Sequence, residues 1–286
     1  MSIHPLAVIS PLANIAPGVK IGPYCVIEPH VTIGPDCILE SHIVIKEGTA
    51  LGARNHVYDS AVLGGFPQHV HAPERPGKVL IGSGNTIREH VTIHRALDEN
   101  RSTIIGDNCL LMVNAHVAHD CQLGNSVILT NNVMLAGHIT VGDRAYISGA
   151  AGVHQFCRIG ALAMVGGQAH LSQDVPPFVT VDGLSSLVVG LNQVGLRRAG
   201  YDSAKVQQLK AAYRVIYRSG LMWKEILEIL RTEYVVGPAA LFYEFLSTTK
   251  RGIISERRMP PNATLKIQPR EAEEEAQPQR KAKVAG

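Results

Sequence analysis

Large aromatic rings are scarce in this chain, because Phe, Trp and Tyr make up only 5% of its 286 residues. Hydrophobic residues nevertheless reach 45%, so the core has to be built from aliphatic and small side chains. The length suffices for one large domain or two modest ones. With few rings to fill a thick interior, a repeat architecture competes with a sandwich or a doubly wound fold.

A strong net charge and long apolar runs are also lacking. The formal net charge is only +3, which is too small on this length to favour nucleic acid as a partner. No apolar run approaches the roughly 20 residues that span a bilayer, and no cationic region precedes the short apolar stretch at the N-terminus. We therefore expect a cytoplasmic protein without a signal peptide or an integral membrane segment.

Cysteine is sparse, and its placement argues against chemistry. Each cysteine stands four positions after an aliphatic residue of the repeat described below, in a column of small side chains. The five are Cys25, Cys37, Cys109, Cys121 and Cys157. This placement predicts buried, reduced packing residues rather than a nucleophile or a zinc cluster, and we expect no bound metal.

What the sequence does contain is a six-residue repeat. An aliphatic residue recurs at every sixth position from Ile9 to Leu63, returns at Ile81, and then runs unbroken from Ile105 to Leu171. The next residue is often glycine, which suits a sharp corner. The residue four positions after the aliphatic is usually small or β-branched, which indicates a second inward-facing column. The period predicts a solenoid over residues 1–189.

Two interruptions preserve the phase of the repeat and therefore predict loops that leave the solenoid, at about residues 65–78 and 96–102. After residue 189 the period becomes helical. Asp202 or Ser203 is placed to cap a first helix, and two more helical segments follow before Gly252. We predict a helical domain over residues 190–254 and a disordered, charge-rich tail over residues 255–286.

Basic residues accumulate between positions 190 and 258, whereas acidic residues are in excess before them. This asymmetry has two readings that the sequence leaves open. It indicates either an acidic partner or phosphate-bearing ligand at that end, or only a solvated helical face.

A cluster of histidines stands out within the solenoid. His119 and Asp120 follow the inward Val117, so they are expected on the outward-facing part of the strand. An 18-residue stacking period places Gly137 next to His119. A histidine beside an aspartate is an orientable general base, and a glycine N–H one coil away is able to stabilise an oxyanion. A solvent-facing histidine ladder is the alternative.

Several segments together resemble the acyl-[acyl-carrier-protein]–UDP-N-acetylglucosamine O-acyltransferases, hexapeptide-repeat enzymes that begin lipid A synthesis. The similarity covers about residues 3–254. The segments are 114–121, 135–138, 153–157, 164–167, 173–177 and 217–220. The resemblance implies a left-handed parallel β-helix, with three six-residue strands in each coil and a C-terminal α-helical domain.

The resemblance also implies a reaction and partners. His119 would deprotonate the sugar 3-hydroxyl for direct attack on the thioester of an acyl, normally 3-hydroxyacyl, carrier protein. Asp120 would orient His119, and the Gly137 N–H would stabilise the oxyanion. No cofactor is implied beyond the phosphopantetheine of the acyl carrier protein. That acidic protein would meet the basic helical segment, and the family's homotrimeric state would place sites between chains.

Further residues are carried over from the resemblance as binding residues. Contacts to the nucleotide sugar or acyl chain would come from His69, His71, His116, His138, His154, Gln155, Asn192 and Arg198, and the acyl pocket would be lined by Met164 and Gly167. A small residue at position 167 permits a long chain.

The chain also departs from the family pattern in two places. His69 and His71 stand in the first loop where the family has Asp and Lys, so recognition of a 3-hydroxyl on the acyl chain is in question. Val194 and Ala199 replace a family Glu and one of two arginines. One nucleotide contact and one phosphate contact are therefore absent or replaced.

Other functions fit the same solenoid. One is an acyltransferase acting on a 3-amino sugar, or the later N-acyltransferase, although the latter usually carries an extra N-terminal domain for which no room is expected here. Another is a trimeric zinc lyase resembling the γ-carbonic anhydrases, although its third histidine would fall on Ile159. A catalytically silent scaffold is the last alternative, and it leaves the His-Asp-Gly arrangement unexplained.

Overall fold

The computed structural model describes residues 2–257, which form a triangular β-helix followed by a small helical unit. The strands are short because each side of the triangle spans only a few residues. They are β1 (Ser2–Ile3), β2 (Val8–Ile9), β3 (Asn14–Ile15), β4 (Lys20–Ile21), β5 (Val26–Ile27), β6 (Thr32–Ile33), β7 (Ile38–Leu39), β8 (Val44–Ile45), β9 (Thr49–Leu51), β10 (His56–Val57), β11 (Val62–Gly65), β12 (Lys78–Ile81), β13 (Thr86–Ile87), β14 (Thr92–His94), β15 (Ser102–Ile105), β16 (Leu110–Leu111), β17 (His116–Val117), β18 (Gln122–Leu123), β19 (Ile128–Leu129), β20 (Met134–Leu135), β21 (Thr140–Val141), β22 (Tyr146–Ile147), β23 (Gly152–Val153), β24 (Arg158–Ile159), β25 (Met164–Val165), β26 (His170–Leu171), β27 (Val179–Val181) and β28 (Val188–Leu191).

These strands form three sheets that wrap around one core. The first sheet runs β1-β4-β7-β10-β13-β16-β19-β22-β25-β27-β28, the second β2-β5-β8-β11-β14-β17-β20-β23-β26, and the third β3-β6-β9-β12-β15-β18-β21-β24. All pairings are parallel except that of β27 with β28. The predicted left-handed parallel β-helix with a C-terminal helical region is confirmed.

Strand register explains the period and its interruptions. Val26 pairs with Val44, 18 residues on, but Val62 pairs with Thr92 because residues 66–77 form an inserted loop between β11 and β12. Lys78 pairs with Ser102 because a second loop, residues 95–101, lies between β14 and β15. The two register offsets of 30 and 24 residues exceed 18 by multiples of six, so the inward aliphatic column resumes in phase after both loops.

The interior holds one continuous aliphatic cluster, in which the five cysteines are buried and free. The glycines after the aliphatic positions serve mainly to let successive coils approach closely. At Gly106 an added Cβ would lie 2.5 Å from the carbonyl oxygen of Gly124. Left-handed backbone occurs instead at other corner residues, among them Asn114, Asp120 and His138, each with φ near +60°.

Within the described residues, four helices follow the β-helix. They are α1 (Gln193–Arg198), α2 (Ser203–Arg218), α3 (Trp223–Glu233) and α4 (Ala240–Leu246). Asp202 caps α2 by accepting a hydrogen bond from the backbone N–H of Lys205, 2.8 Å away. A second apolar cluster around Phe178, Leu230 and Phe242 attaches these helices to the last coils. None of the described helices combines the length and hydropathy needed to cross a bilayer.

The expected start of a disordered tail at residue 255 is too early. Ser255 and Arg257 form backbone hydrogen bonds with Val188, and the Glu256 carboxylate accepts hydrogen bonds from Tyr213 and Arg218. The charge-rich composition predicted that these three residues would be disordered. Instead they lie against β28 and α2, which supply their hydrogen-bond partners. The rest of the predicted tail, residues 258–286, lies outside the described residues.

Candidate active site

His119 and Asp120 lie at the corner between the second and third sheets, in the turn that joins β17 to β18. The His119 Nδ1–H donates to Asp120 Oδ2 over 2.9 Å, which fixes the imidazole tautomer and leaves Nε2 as the basic nitrogen. The repeat predicted both side chains on the outward-facing part of the strand, and the structure adds that they are buried there. His119 is 5% exposed and Asp120 is 9% exposed, because the loops cover this corner.

The second loop and the neighbouring strand hold Asp120 in place. Its Oδ2 also accepts a hydrogen bond from the backbone N–H of Leu97 over 3.1 Å, and its own backbone N–H donates to Thr103 Oγ1 over 2.9 Å. Because both its carboxylate and its backbone are held, Asp120 is able to orient the His119 imidazole and to stabilise the imidazolium that forms when the ring takes a proton.

Gly137 lies directly against the His119 ring, in the next coil. An added Cβ would lie 2.3 Å from His119 Cε1 and 2.6 Å from Nε2, so only glycine leaves room for the imidazole. Its carbonyl accepts a hydrogen bond from Phe156 N–H, but no hydrogen bond among the described residues uses its own N–H. The Gly137 N–H is therefore available next to the basic nitrogen, as an oxyanion donor requires.

Three imidazoles meet at this corner. The His119 ring makes edge-to-face contacts with His69 of the first loop, at 5.6 Å between centroids, and with His138, at 5.0 Å. His138 also stacks on Phe156 at 4.6 Å. Burial lowers the pKa of His138, against the opposing effect of the Asp120 carboxylate. His69 is exposed and accepts a hydrogen bond at Nδ1 from the His71 N–H, which places the proton of the neutral ring on Nε2.

A second histidine pair lies beside this corner, on the outer face of the second sheet. His116 shares a 2.8 Å hydrogen bond with Thr92, its register partner on β14, and its ring contacts that of His94 at 5.1 Å. Burial, and then the nearby His94, lower the pKa of His116 to about 4. His94 Nδ1 donates to the carbonyl oxygen of Phe66 over 2.6 Å, so it anchors the start of the first loop.

Sequence reasoning missed His94, Thr92 and Thr103. The register between β14 and β17 was the signal that would have found the first two, because it places Thr92 beside His116. That register depends on the length of the second loop. His154 and Gln155 lie one coil beyond Gly137 on the same corner and are exposed.

The other predicted binding residues lie elsewhere. A cavity of about 880 Å³ opens on the first sheet, and it is lined by Met164, Arg198 and Asn192 together with Ile128 and Tyr146. Val194 and Ala199 also line it. Gly167 lies at the corner between the first and second sheets, where a Cβ would lie 3.3 Å from the Gly149 carbonyl oxygen. One chain therefore does not bring these residues together with His119.

Asn192 also has a local role that the sequence did not reveal. Its side-chain oxygen accepts a hydrogen bond from Gly195 N–H and so caps α1, and its amide nitrogen donates to the carbonyl oxygen of Leu162 over 2.8 Å. Most of its polar capacity is therefore used within the chain. Its contact with a nucleotide stays a prediction.

Three side chains at the corner are of the types that ligate metal ions in proteins. Ligand atoms of His119, Asp120 and His138 lie within 4.8 Å of one another. The site expected for a γ-carbonic anhydrase differs from this cluster, because its third ligand position is Ile159, a residue buried in the core. His154 is also not part of the cluster.

Taken together, the corner offers a general base in His119, an orienting carboxylate in Asp120 and a backbone donor in the Gly137 N–H.

The family models and the curated relatives that match this chain describe the same kind of enzyme. A family described as Udp N-acetylglucosamine O-acyltransferase, domain 2, matches residues 174–254, and bacterial transferase hexapeptide repeats match residues 2–35, 12–42 and 102–137. The acyl-[acyl-carrier-protein]–UDP-N-acetylglucosamine O-acyltransferase of Burkholderia orbicola is 47% identical over 258 residues, which cover 88% of this chain and 98% of that protein.

Solved structures agree with this relationship. The Moraxella catarrhalis UDP-N-acetylglucosamine O-acyltransferase superposes with a TM-score of 0.84 at 39% identity, covering 89% of this chain and all of that one. The Francisella novicida UDP-N-acetylglucosamine acyltransferase superposes with a TM-score of 0.84 at 36% identity, covering 91% of this chain and 95% of that one. The resemblance inferred from the sequence motifs is confirmed.

Proposed function

This chain belongs to the family of acyl-[acyl-carrier-protein]–UDP-N-acetylglucosamine O-acyltransferases, and on that premise we propose that His119 is the general base of its reaction. The enzyme transfers a fatty acyl chain from acyl carrier protein to the 3-hydroxyl of UDP-N-acetylglucosamine, in the first step of lipid A synthesis. The observation that carries the assignment of His119 is its 2.9 Å hydrogen bond to the buried Asp120, beside Gly137, whose N–H bonds to none of the described residues.

The proposed mechanism has two steps. His119 Nε2 takes the proton of the sugar 3-hydroxyl while the hydroxyl oxygen bonds to the thioester carbonyl carbon, and the Gly137 N–H stabilises the resulting oxyanion. When the intermediate collapses, the carbon–sulfur bond breaks and the thiolate of phosphopantetheine takes the proton from His119. All five cysteines are buried in the core, including Cys121 beside Asp120, so the acyl group passes directly between the substrates without a covalent cysteine intermediate.

We place the active site between the chains of a homotrimer. The cavity that holds Met164 and Arg198 lies on a different face of the prism from His119, so its contribution has to come from another chain. Leu80 and Ile104 support this assembly, since they are paired in register, point outward from the third sheet and remain 40% and 38% exposed in one chain. The buried free cysteines suit the reducing cytoplasm.

The nucleotide sugar is bound by His116, His138, His154 and Gln155 at the catalytic corner, and by Arg198 from the cavity. The low pKa of His116 supports a neutral hydrogen-bonding role at physiological pH. Basic residues along α2, such as Lys210 and Arg214, offer a complementary surface for acyl carrier protein. Gly167 leaves space for a long acyl chain, which Met164 helps to enclose.

The first test is the substitution His119→Ala. We expect a loss of activity of about 10²–10⁴-fold, the usual contribution of a general base, with folding and trimer formation retained. His170→Ala is a matched control, because His170 is an exposed histidine on the second sheet away from the catalytic corner. Near-normal turnover by His119→Ala in a steady-state assay with acyl carrier protein would remove the assignment.

A second test concerns the acyl donor. His69 and His71 cover the corner where the family has an acidic and a basic residue, so the chain's preference for 3-hydroxyacyl donors needs a direct comparison. We propose a 3-hydroxyacyl donor and expect it to be used faster than the unsubstituted donor of the same length. Equal kcat/KM for the two donors would remove this part of the proposal.

A further inference from the structure

The cluster formed by His119, Asp120 and His138 has the composition of a transition-metal site. Two imidazoles and one carboxylate meet at one corner, with ligand atoms within 4.8 Å of one another. His119 and Asp120 are buried, and the His138 Nε2 lies 3.9 Å from Asp120 Oδ2. Imidazole and carboxylate together suit zinc and its neighbours among the divalent ions, whereas magnesium and calcium prefer oxygen ligands alone.

The spacing of these atoms is close to that of a zinc site. Ligand atoms about 2.0–2.1 Å from a tetrahedral ion lie about 3.3 Å apart. His119 Nδ1 and Asp120 Oδ2 are 2.9 Å apart, so an ion is able to replace the proton that they now share. His138 Nε2 lies 3.9 Å from Asp120 Oδ2 and up to 4.8 Å from the His119 ligand atom, so its ring has to approach by about 1–1.5 Å. No described hydrogen bond holds its Nε2 elsewhere.

The other nearby imidazole is not suited to complete the set. His69 accepts the His71 N–H at Nδ1, so its Nε2 carries the proton and has no lone pair to offer. Ligation by His69 would break that hydrogen bond. The fourth position of a tetrahedral ion is therefore left to water or substrate.

We propose that this corner binds one zinc-like divalent cation through His119, Asp120 and His138, and that the bound ion inhibits the enzyme. When an ion occupies Nδ1 of His119, the ring proton moves to Nε2, so Nε2 is no longer able to accept the proton of a sugar hydroxyl. The ion also takes the carboxylate that orients the ring. Binding itself does not depend on the proposed function, whereas the inhibition rests on it.

Isothermal titration of the full-length protein with zinc chloride tests the binding. We expect one saturable site per chain and a rise of at least tenfold in Kd for His138→Gln, with the fold checked by circular dichroism. His71→Gln and His154→Gln are matched controls, because both are exposed histidines close to the corner but outside the cluster. His71→Gln also keeps the backbone N–H that orients His69. For both controls we expect a Kd within twofold of the parent.

Several results would overturn the proposal. Absence of saturable binding would show that the corner is not a zinc site. A Kd that His138→Gln leaves unchanged would show that zinc binds only adventitiously, at other histidines. For the inhibition, we expect turnover to fall more than tenfold at saturating zinc and to return on adding EDTA. Binding without inhibition would refute the inhibitory role alone. An inactive but zinc-binding protein would instead argue against the proposed function.

Discussion

At the scale of single residues, the proposed catalytic corner depends on the absence of a side chain at Gly137 and on one hydrogen bond of 2.9 Å between His119 and Asp120. His119 is held by Asp120 on one side, and its ring fills the space that a side chain at position 137 would occupy. Its position is therefore set by sterics as much as by hydrogen bonding. Displacement of a catalytic group by about 1 Å is enough to cost two orders of magnitude in rate.

The substitution Gly137→Ala tests this arrangement. Its Cβ would lie 2.3 Å from His119 Cε1, so the ring has to move away from Asp120, and we expect kcat to fall about 100-fold. Gly152→Ala is a matched control, since its Cβ would meet no atom closer than 3.6 Å, and we expect nearly normal kcat. If Gly137→Ala kept full activity, the ring would not act from its observed position.

His116 predicts how stability depends on pH. Its folded-state pKa is about 4, below the ordinary 6.5, because burial disfavours the charged ring. Between these values the unfolded chain binds more protons, so this contribution to the free energy of unfolding is present above pH 6.5 and is lost as pH falls toward 4. We expect the urea midpoint of the parent to drop over this range more than that of His116→Gln. His170→Gln, at an exposed histidine, should leave the drop unchanged, and an equal drop for parent and His116→Gln would contradict the burial argument.

At the scale of elements, one buried aspartate attaches the helical unit to the β-helix. Asp174 is 1% exposed and accepts hydrogen bonds from the Arg158 guanidinium over 3.0 Å and from the Thr249 hydroxyl over 2.8 Å. Arg158 in turn donates to the carbonyl oxygen of Phe245 and lies over its ring. The last coil and the segment after α4 are therefore joined through one charge pair.

The substitution Asp174→Ala should loosen this junction. Removing one partner of a buried pair leaves Arg158 without its counter-charge, and we expect a loss of about 3–5 kcal/mol in the free energy of unfolding. Glu228→Ala breaks the Arg231–Glu228 pair, whose side chains are 54% and 59% exposed, and should leave the urea midpoint nearly unchanged. Urea denaturation of both variants checks the difference. Similar losses for the two variants would show that the Asp174 pair does not hold the junction.

At the scale of the whole molecule, the site is incomplete in one chain. The catalytic corner lies between the second and third sheets, while the cavity containing Arg198 lies on the first sheet. The strand pairings of the described residues put these two faces on different sides of the prism. The proposed homotrimer would unite them by bringing the corner of one chain to the cavity of a neighbouring chain.

Mixed trimers test whether neighbouring chains share each site. We expect His119→Ala and Arg198→Glu to be inactive alone, whereas their co-assembly should restore about a quarter of the parent activity, because a quarter of sites then combine two intact contributions. Activity of co-refolded, purified trimers measures this. No recovery beyond either variant alone would place the whole site in one chain.

The sequence by itself determined the solenoid, because an inward aliphatic at every sixth position leaves only one way to bury the core. It also predicted that Gly137 lies one coil from His119 and Asp120, since their spacing follows from the same period. Only the tertiary structure showed that the loops bury this corner. It also showed that Thr103 holds the backbone of Asp120 and that His94 anchors the first loop. The position of the cavity on the first sheet was likewise visible only in the structure. The paths of the loops and helices that decide both features depend on contacts between residues far apart in sequence.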